Sequence, residues 1–455
     1  MEFQKIKLHR SEKNRAAVTQ ITLDDDYNVP DYRQDIVKVI KERGELRFDE
    51  VKAMEGAAWI KGSLVFKVLY RSDKQEGKIS CLRGEIPFQE RLNMDGLSEY
   101  DAVHATGDME DLTIGVINSR KLNVRAVIVL TASSEKEVDE ELTCELSDGS
   151  SYEQNIVEKE ALKLLVVRRD ICRQKSEAVL PSSKPNIREI LWQSMQLRNV
   201  ESRLVEGKIR LSGEILVSIL YNDEEEGEHL SWYETTVPLD AQAECGVMED
   251  DCIWQVQMVP LTMELEVKPD YDGEERILVM ELALDTHIRI WKEEKIRLLT
   301  DLYSLQKEVK PVFRECPLER LLVKNAAKCR MTEQMELKED KEKVLQICSC
   351  EGKVLLERQE IKPDGVLAEG TVEVNILYIT PDDHMPVGAV QEIYPFSQLV
   401  EIPEMSAQAK VELDASLEQL SAVMLDQDGS TAGSDCLCAG SHTEYRGGHR
   451  VGTGS

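Results

Sequence analysis

Along most of the chain, apolar and polar positions alternate. Lys208-Ile-Arg-Leu-Ser212 changes side at every residue, and Leu122, Val124, Ala126 and Ile128 are separated by Asn123, Arg125 and Val127. A period of two is the signature of a strand with one face covered. Three other segments, Gly62–Tyr70, Gly213–Tyr221 and Gly370–Tyr378, are rich in Val, Ile and Leu. Each is a Gly, seven mostly apolar or β-favouring residues and a Tyr, too short for a typical helix, and predicts a strand buried on both faces. Gly56 and Gly207 fall where turns are needed. Two segments break the pattern. Gln34–Arg43 ends before Gly44 and spaces Ile36, Val39 and Ile40 at i, i+3 and i+4; Ser183–Leu191 does the same with Ile187, Ile190 and Leu191, with Pro185 near its start. Both predict a short amphipathic helix capping a β domain.

The runs also repeat. Each begins with Gly, ends with Tyr, and is followed 17 positions later by a proline between large apolar residues: Ile86-Pro87-Phe88, Val237-Pro238-Leu239 and Tyr394-Pro395-Phe396. An offset of 151 holds without a gap from Ile36/Ile187 to Pro87/Pro238. An offset of 157 carries Leu164-Leu165-Val166 onto Leu321-Leu322-Val323 and Cys172-Arg173 onto Cys329-Arg330. The later strand recurs as Leu278, Met280, Leu282 and Leu284, with Arg120 matching Arg276. The units are 1–150, 151–307 and 308–429. Solenoid repeats need neighbours to bury their faces, whereas a unit of about 150 residues can bury its own core. The expected architecture is therefore mainly β with short helices: three tandem β-rich domains, as beads with linkers or a packed row.

The third copy is expected to be incomplete. Where copy two continues from Asp270–Gly273 into a strand, copy three passes Asp426–Gly429 into residues 430–455, a Gly/Ser-rich stretch with few β-branched residues. The composition predicts a disordered tail. A frameshift near Gly429 is a sharper reading. One permitted codon choice for Gly429–Cys436, moved by one nucleotide, encodes Glu-Val-Arg-Leu-Glu-Val-Thr-Val, an alternating strand.

Charge narrows the functional classes. The chain carries 56 Lys and Arg against 86 Asp and Glu, a net −30. That opposes a general nucleic-acid binder and charge-driven binding to anionic lipid. No apolar run reaches membrane-helix length and no signal peptide opens the chain, so direct membrane insertion is not expected and the cytoplasm is. Eleven cysteines, an odd number, do not read as a disulfide framework, which also opposes a cell-surface adhesin.

Candidate chemistry is sparse. The pairs Cys348/Cys350 and Cys436/Cys438 would each share a strand face and could hold one metal, but read better as packing residues. His229 and His384 follow the repeated Tyr beside Asp223, Glu224, Asp382 and Asp383; weak divalent binding is one reading, a solvated loop the better one. Copy one has Arg71-Ser-Asp-Lys-Gln-Glu there instead. Tyr70, Tyr221 and Tyr378 read as packing residues that hand their hydroxyls to backbone or water. Cys172 and Cys329 recur at one unit position, where copy one has Ile21; a thiol enzyme is the alternative to packing. No Walker, HExxH, GxSxG or Rossmann signature is present. The expected site is therefore none, whether catalytic, metal or cofactor-binding, and the expected partner is a protein.

The pattern carried by Gly62/Tyr70/Pro87, Gly213/Tyr221/Pro238 and Gly370/Tyr378/Pro395 resembles the SPOCS domain of endospore-forming bacteria, over essentially Ile21 to Gly429. The resemblance implies a non-enzymatic structural protein of spore-coat or envelope assembly. Its tandem modules would bind a coat-assembly protein on the mother-cell side of the forespore. Three copies are similar to the arrangement in the coat morphogenetic protein that docks to the coat-scaffold ATPase. Such proteins often end in a LysM module, and no Tyr-x-Val-x-x-Gly-Asp-Thr start is present here. The resemblance transfers no catalytic residue.

Overall fold

The computed structural model describes residues 2–72, 78–147, 152–224, 229–249, 251–306, 308–310, 312–325, 327–336, 344–402, 405, 409–424, 431–439 and 443–454. Its first unit holds β1 (Phe3–Asn28), β2 (Ile36–Met54), β3 (Ala57–Ser72), β4 (Ile79–Asn93), β5 (Val103–Asn118) and β6 (Lys121–Leu146). They form two antiparallel three-stranded sheets, β1-β6-β5 and β2-β3-β4. One core joins the sheets face to face, with Leu64, Phe66 and Val68 from β3 against Leu122, Val124, Ala126 and Ile128 from β6, all fully buried. The second unit repeats the plan with β7 (Glu153–Val179), β8 (Ile187–Val205), β9 (Lys208–Asp223), β10 (Leu230–Glu244), β11 (Cys252–Pro269) and β12 (Glu275–Tyr303), in sheets β7-β12-β11 and β8-β9-β10.

The third unit keeps the same layout with broken strands: β13 (Phe313–Asn325), β14 (Lys328–Glu336), β15 (Gln346–Lys362), β16 (Gly365–Ile379), β17 (Val387–Glu401), β18 (Lys410–Glu412), β19 (Ser416–Met424), β20 (Thr431–Ala439) and β21 (Thr443–Gly454). Its sheets are β15-β16-β17, β14-β20-β19 and β13-β21-β18. Asp426–Gly429, where the frameshift reading was placed, lies outside the described residues. The stretch expected to be a disordered tail instead supplies β20 and β21, in the central slot that β6 and β12 fill. Central-strand pairing uses only backbone groups, and the two flanking strands present unpaired edges that require it.

No helix occurs among the described residues, and none is therefore long and apolar enough to cross a membrane. The two expected helices are strands, and β-bulges are the reason. Ile36 pairs with Ser72, Lys38 with Arg71, Val39 with Tyr70 and Lys41 with Leu69, so two extra residues enter β2 within six positions. Each insertion shifts the alternation by one and turns a period of two into i, i+3, i+4. In β8 the ladder slips between Ile187 and Glu189 and again between Ile190 and Trp192.

The repeated motif is spent on packing. β3, β9 and β16 are central strands; β3 is buried on both faces over Gly62–Tyr70, and β9 and β16 are buried on both faces only toward Tyr221 and Tyr378. A Cβ added at Gly62, Gly213 or Gly370 would lie 2.4, 2.9 or 2.1 Å from the carbonyl oxygen of Arg47, Arg198 or Leu355, which are equivalent residues beside a second repeated bulge. Only glycine allows that approach. Pro87, Pro238 and Pro395 lie on the outer strands, where a missing N–H removes no ladder bond on the free side. Arg120 donates to the carbonyls of Val29, Pro30 and Arg33, and Arg276 to those of Leu180, Pro181 and Lys184. Each fastens the turn that enters the second sheet.

The units are not separate beads. Ile40, Leu191 and Cys348, then Leu69, Leu220 and Leu377, then Ile79, Leu230 and Val387 are three sets of equivalent residues, and all nine belong to one apolar cluster. Three units presenting the same positions to one shared core meet about a pseudo-threefold axis. A second shared cluster joins Leu8 and Leu142, Ala161, Ile296 and Leu298, and Cys316 and Leu318.

Candidate functional site at the junction of the three units

The bulge shared by all three copies builds the junction. Ile40 and Lys41 together oppose Leu69, Leu191 and Trp192 oppose Leu220, and Cys348 and Ser349 oppose Leu377. Successive side chains can then face the same side, as Leu191 and Trp192 do in the shared core. Polar residues enter the axis by this route. Glu351 of the third unit is buried; its carboxylate accepts from Lys41 Nζ at 3.1 Å, from an Arg43 guanidinium nitrogen at 3.3 Å and from Trp192 Nε1 at 3.4 Å. Lys41 also lies 5.3 Å from the centre of the Trp192 ring. Burial alone would raise the Glu351 pKa, but the charges of Lys41 and Arg43 and the hydrogen bonds from Lys41 and Trp192 hold it below the usual carboxylate value. One carboxylate thus ties units one, two and three together. Lys41, Trp192 and Ser349 are equivalent positions, as are Arg43, Ser194 and Glu351, so the copies have diverged here into complementary partners. The Ser194 and Ser349 hydroxyls are buried there without a hydrogen-bond partner.

A second polar junction lies further along the axis. His104 of β5 is 2.6 Å from a guanidinium nitrogen of Arg169, which grips Asp285, and its ring centre is 5.8 Å from that of His287. His287 is 3.4 Å from Glu135. Arg289, almost fully buried, reaches Glu135 at 3.8 Å, Glu412 of the third unit at 2.9 Å, and Gln255. Burial lowers the pKa of both histidines; Arg169 adds to this at His104, and Arg289, His104 and Arg169 at His287, against the opposing pull of Glu135. At these two junctions, ionisable groups removed from water hold units to one another.

The residues singled out in the sequence mostly serve packing. Tyr70 donates to the Gln34 carbonyl and Tyr221 to that of Pro185, both at 3.1 Å. Burial pushes the Tyr221 phenol up to about 12. Cys348 and Cys350 do not share a face. The bulge between Ile347 and Ser349 sends Cys348 to the axis and Cys350 to the third unit's own core, so they cannot offer two thiolates to one metal. Burial pushes both thiols up to about 12. The side chains of Cys436 and Cys438 lie outside the described ones. Cys172 is buried near the Gln242 carbonyl and Thr286, and burial raises its pKa; Cys329 packs half-buried on the third core as Ile21 does on the first. His229 and His384 are exposed loop residues, and the nearby carboxylates serve the loops. Asp223 accepts from the His229 backbone N–H at 3.1 Å and Asp382 from that of His384 at 2.9 Å. Among the described residues no group of three or more His, Cys, Asp or Glu is placed to hold a metal. Sequence reasoning missed Glu351, Lys41 and Trp192. The signal was present as a charged or aromatic residue standing where the copies differ within a strand otherwise held in register.

The fold and junction define a tandem β-sandwich repeat protein whose copies close on shared cores. The chain belongs to the SPOCS-domain family: the family model described as "SipL, SPOCS domain" matches residues 35–117, 186–268 and 343–425, more than half of the chain. The first two matches run from the start of the second strand to the end of the fifth, or nearly so, leaving the flanking long strands outside. Comparison with curated proteins and with solved structures gave no match.

Proposed function

We propose that the chain is a non-enzymatic interaction scaffold of spore-coat or envelope assembly, acting in the mother-cell cytoplasm at the forespore surface through a protein partner. Three tandem SPOCS domains carry this reading. The residues that recur in all three, Gly, Tyr and Pro, are used for close approach, packing and edge protection. Recurrent modules on one chain suit a protein that divides binding tasks among its copies. The net charge of −30 favours a basic or neutral partner surface and opposes nucleic acid. A fluorescent fusion in a sporulating endospore-former tests it. Recruitment to the forespore periphery at the onset of coat assembly is expected; diffuse signal throughout sporulation overturns it. The alternative, a thiol-based enzyme on Cys172 or Cys329, requires an accessible thiolate. Burial of Cys172 disfavours one there.

A further inference from the structure

The three units use equivalent slots for their central strand but fill them unequally. In the second unit Ala178 pairs with Leu278, Ser176 with Met280, Gln174 with Leu282 and Cys172 with Leu284. These four β12 residues are 0–5% exposed, and their β6 counterparts Leu122, Val124, Ala126 and Ile128 are fully buried. In the third unit the same ladder pairs Met335 with Ala432, Glu333 with Ser434, Met331 with Cys436 and Cys329 with Cys438. A leucine, a methionine and two further leucines are thus replaced, position by position, by Ala, Ser, Cys and Cys. The walls of this core register the difference. Tyr394 and Phe396 are only half-buried where Val237 and Leu239 are buried, and the Tyr394 hydroxyl oxygen is buried without a partner. The flanking strand β14 nonetheless keeps a full backbone ladder to β20, and β19 one broken only by a register shift between Leu417 and Gln419.

We propose that the third unit is a strand acceptor: it takes, in trans, an antiparallel β-strand of a partner protein, with large aliphatic residues at alternate positions, in place of Thr431–Ala439. Backbone pairing is equal for either strand, and side-chain filling of the core decides between them. A second copy of this chain is a poor donor. Its own β20 has the same small residues, and its β12 and β6 are committed to closed cores. The inference rests on the scaffold reading and names how one module would engage its partner.

The test uses the full chain and a fluorescent peptide with the sequence of residues 276–285, beside a control peptide of the same composition with its alternation scrambled. Saturable one-to-one binding, about ten-fold or more tighter than the control, is expected, with hydrogen-exchange protection lost at 431–439 and retained at 277–285. Equal binding of both peptides, or unchanged protection at 431–439, overturns the proposal. So does a peptide-independent dimer that exchanges strands between copies. Filling the slot with A432L/S434M/C436L/C438L is expected to weaken uptake about ten-fold or more; unchanged uptake overturns it, and the exchange readout on the unaltered chain decides the question if that variant does not fold. A chain that refuses the peptide yet reaches the forespore periphery loses only this inference. A chain that takes the peptide yet stays diffuse loses the spore-assembly reading.

Discussion

Replacing Glu351 with Ala removes a carboxylate that touches all three units while leaving Lys41, itself 6% exposed, without its ion-pair partner in an apolar junction. Breaking a buried pair from one side costs about 3–5 kcal/mol, because the remaining charge has lost its compensation. Glu351→Gln keeps an acceptor for Trp192 and is expected to cost less, about 1–3 kcal/mol. Lys41→Met combined with Glu351→Leu removes both charges and is expected to recover most of the loss. Equilibrium chemical denaturation followed by circular dichroism and tryptophan fluorescence reads the effect. The unaltered chain should unfold with the probes coincident, and E351A should separate them as the units uncouple. Raising salt should change little, because the pair is shielded from solvent ions. The Glu351 pKa is lowered in the fold, so its contribution is full above about pH 4.5 and is lost as pH falls through the folded value. An E351A loss under about 1 kcal/mol, the range of exposed pairs, would refute the reasoning.

Gly370→Ala and Gly62→Ala place a methyl against a carbonyl oxygen and are expected to destabilise by about 1–3 kcal/mol each, more than Gly115→Ala, where a Cβ meets nothing within 4 Å; thermal denaturation compares the three. His104 and His287 are held neutral, so the unfolded chain takes up their protons first as pH falls. Stability should therefore decline below about pH 6.5 down to the folded values, and His287→Gln should flatten that slope in denaturation at stepped pH. Cys348 and Cys350, with thiols at about 12, should label slowly in the native chain at pH 8 and rapidly once unfolded; fast native labelling of Cys348 would contradict the shared core and of Cys350 the third unit's own core, and fast labelling of Cys172 would favour the thiol enzyme.

Much of this fold could be read from the sequence. The run from Gly62 to Tyr70 is a doubly buried strand because a central strand touches both its own core and the axis; the runs from Gly213 and Gly370 are buried on both faces only toward their tyrosines, and in the third copy the rest alternates. The Tyr70 and Tyr221 hydroxyls do go to backbone. Ile36, Val39 and Ile40 misled because bulges imitate helical spacing, and nothing local distinguishes an inserted residue from a helical turn. Residues 431–439 and 443–454 misled for a different reason: beside the nearby β19 and β18 they pair with β14 and β13, about a hundred residues earlier, which low β-propensity at Gly433 or Ser434 does not reveal. The junction was hidden because periodicity describes faces within a unit, while Glu351 meets Lys41 and Trp192 across units.

The claim that three units act as one body is tested most directly by small-angle X-ray scattering of the full chain. A single compact particle of 455 residues has a radius of gyration of about 23 Å, and that value with a single-peaked distance distribution is expected. A radius of ~30 Å or more with a second maximum in the distances is what three linked compact units would give, and it would contradict the shared axis.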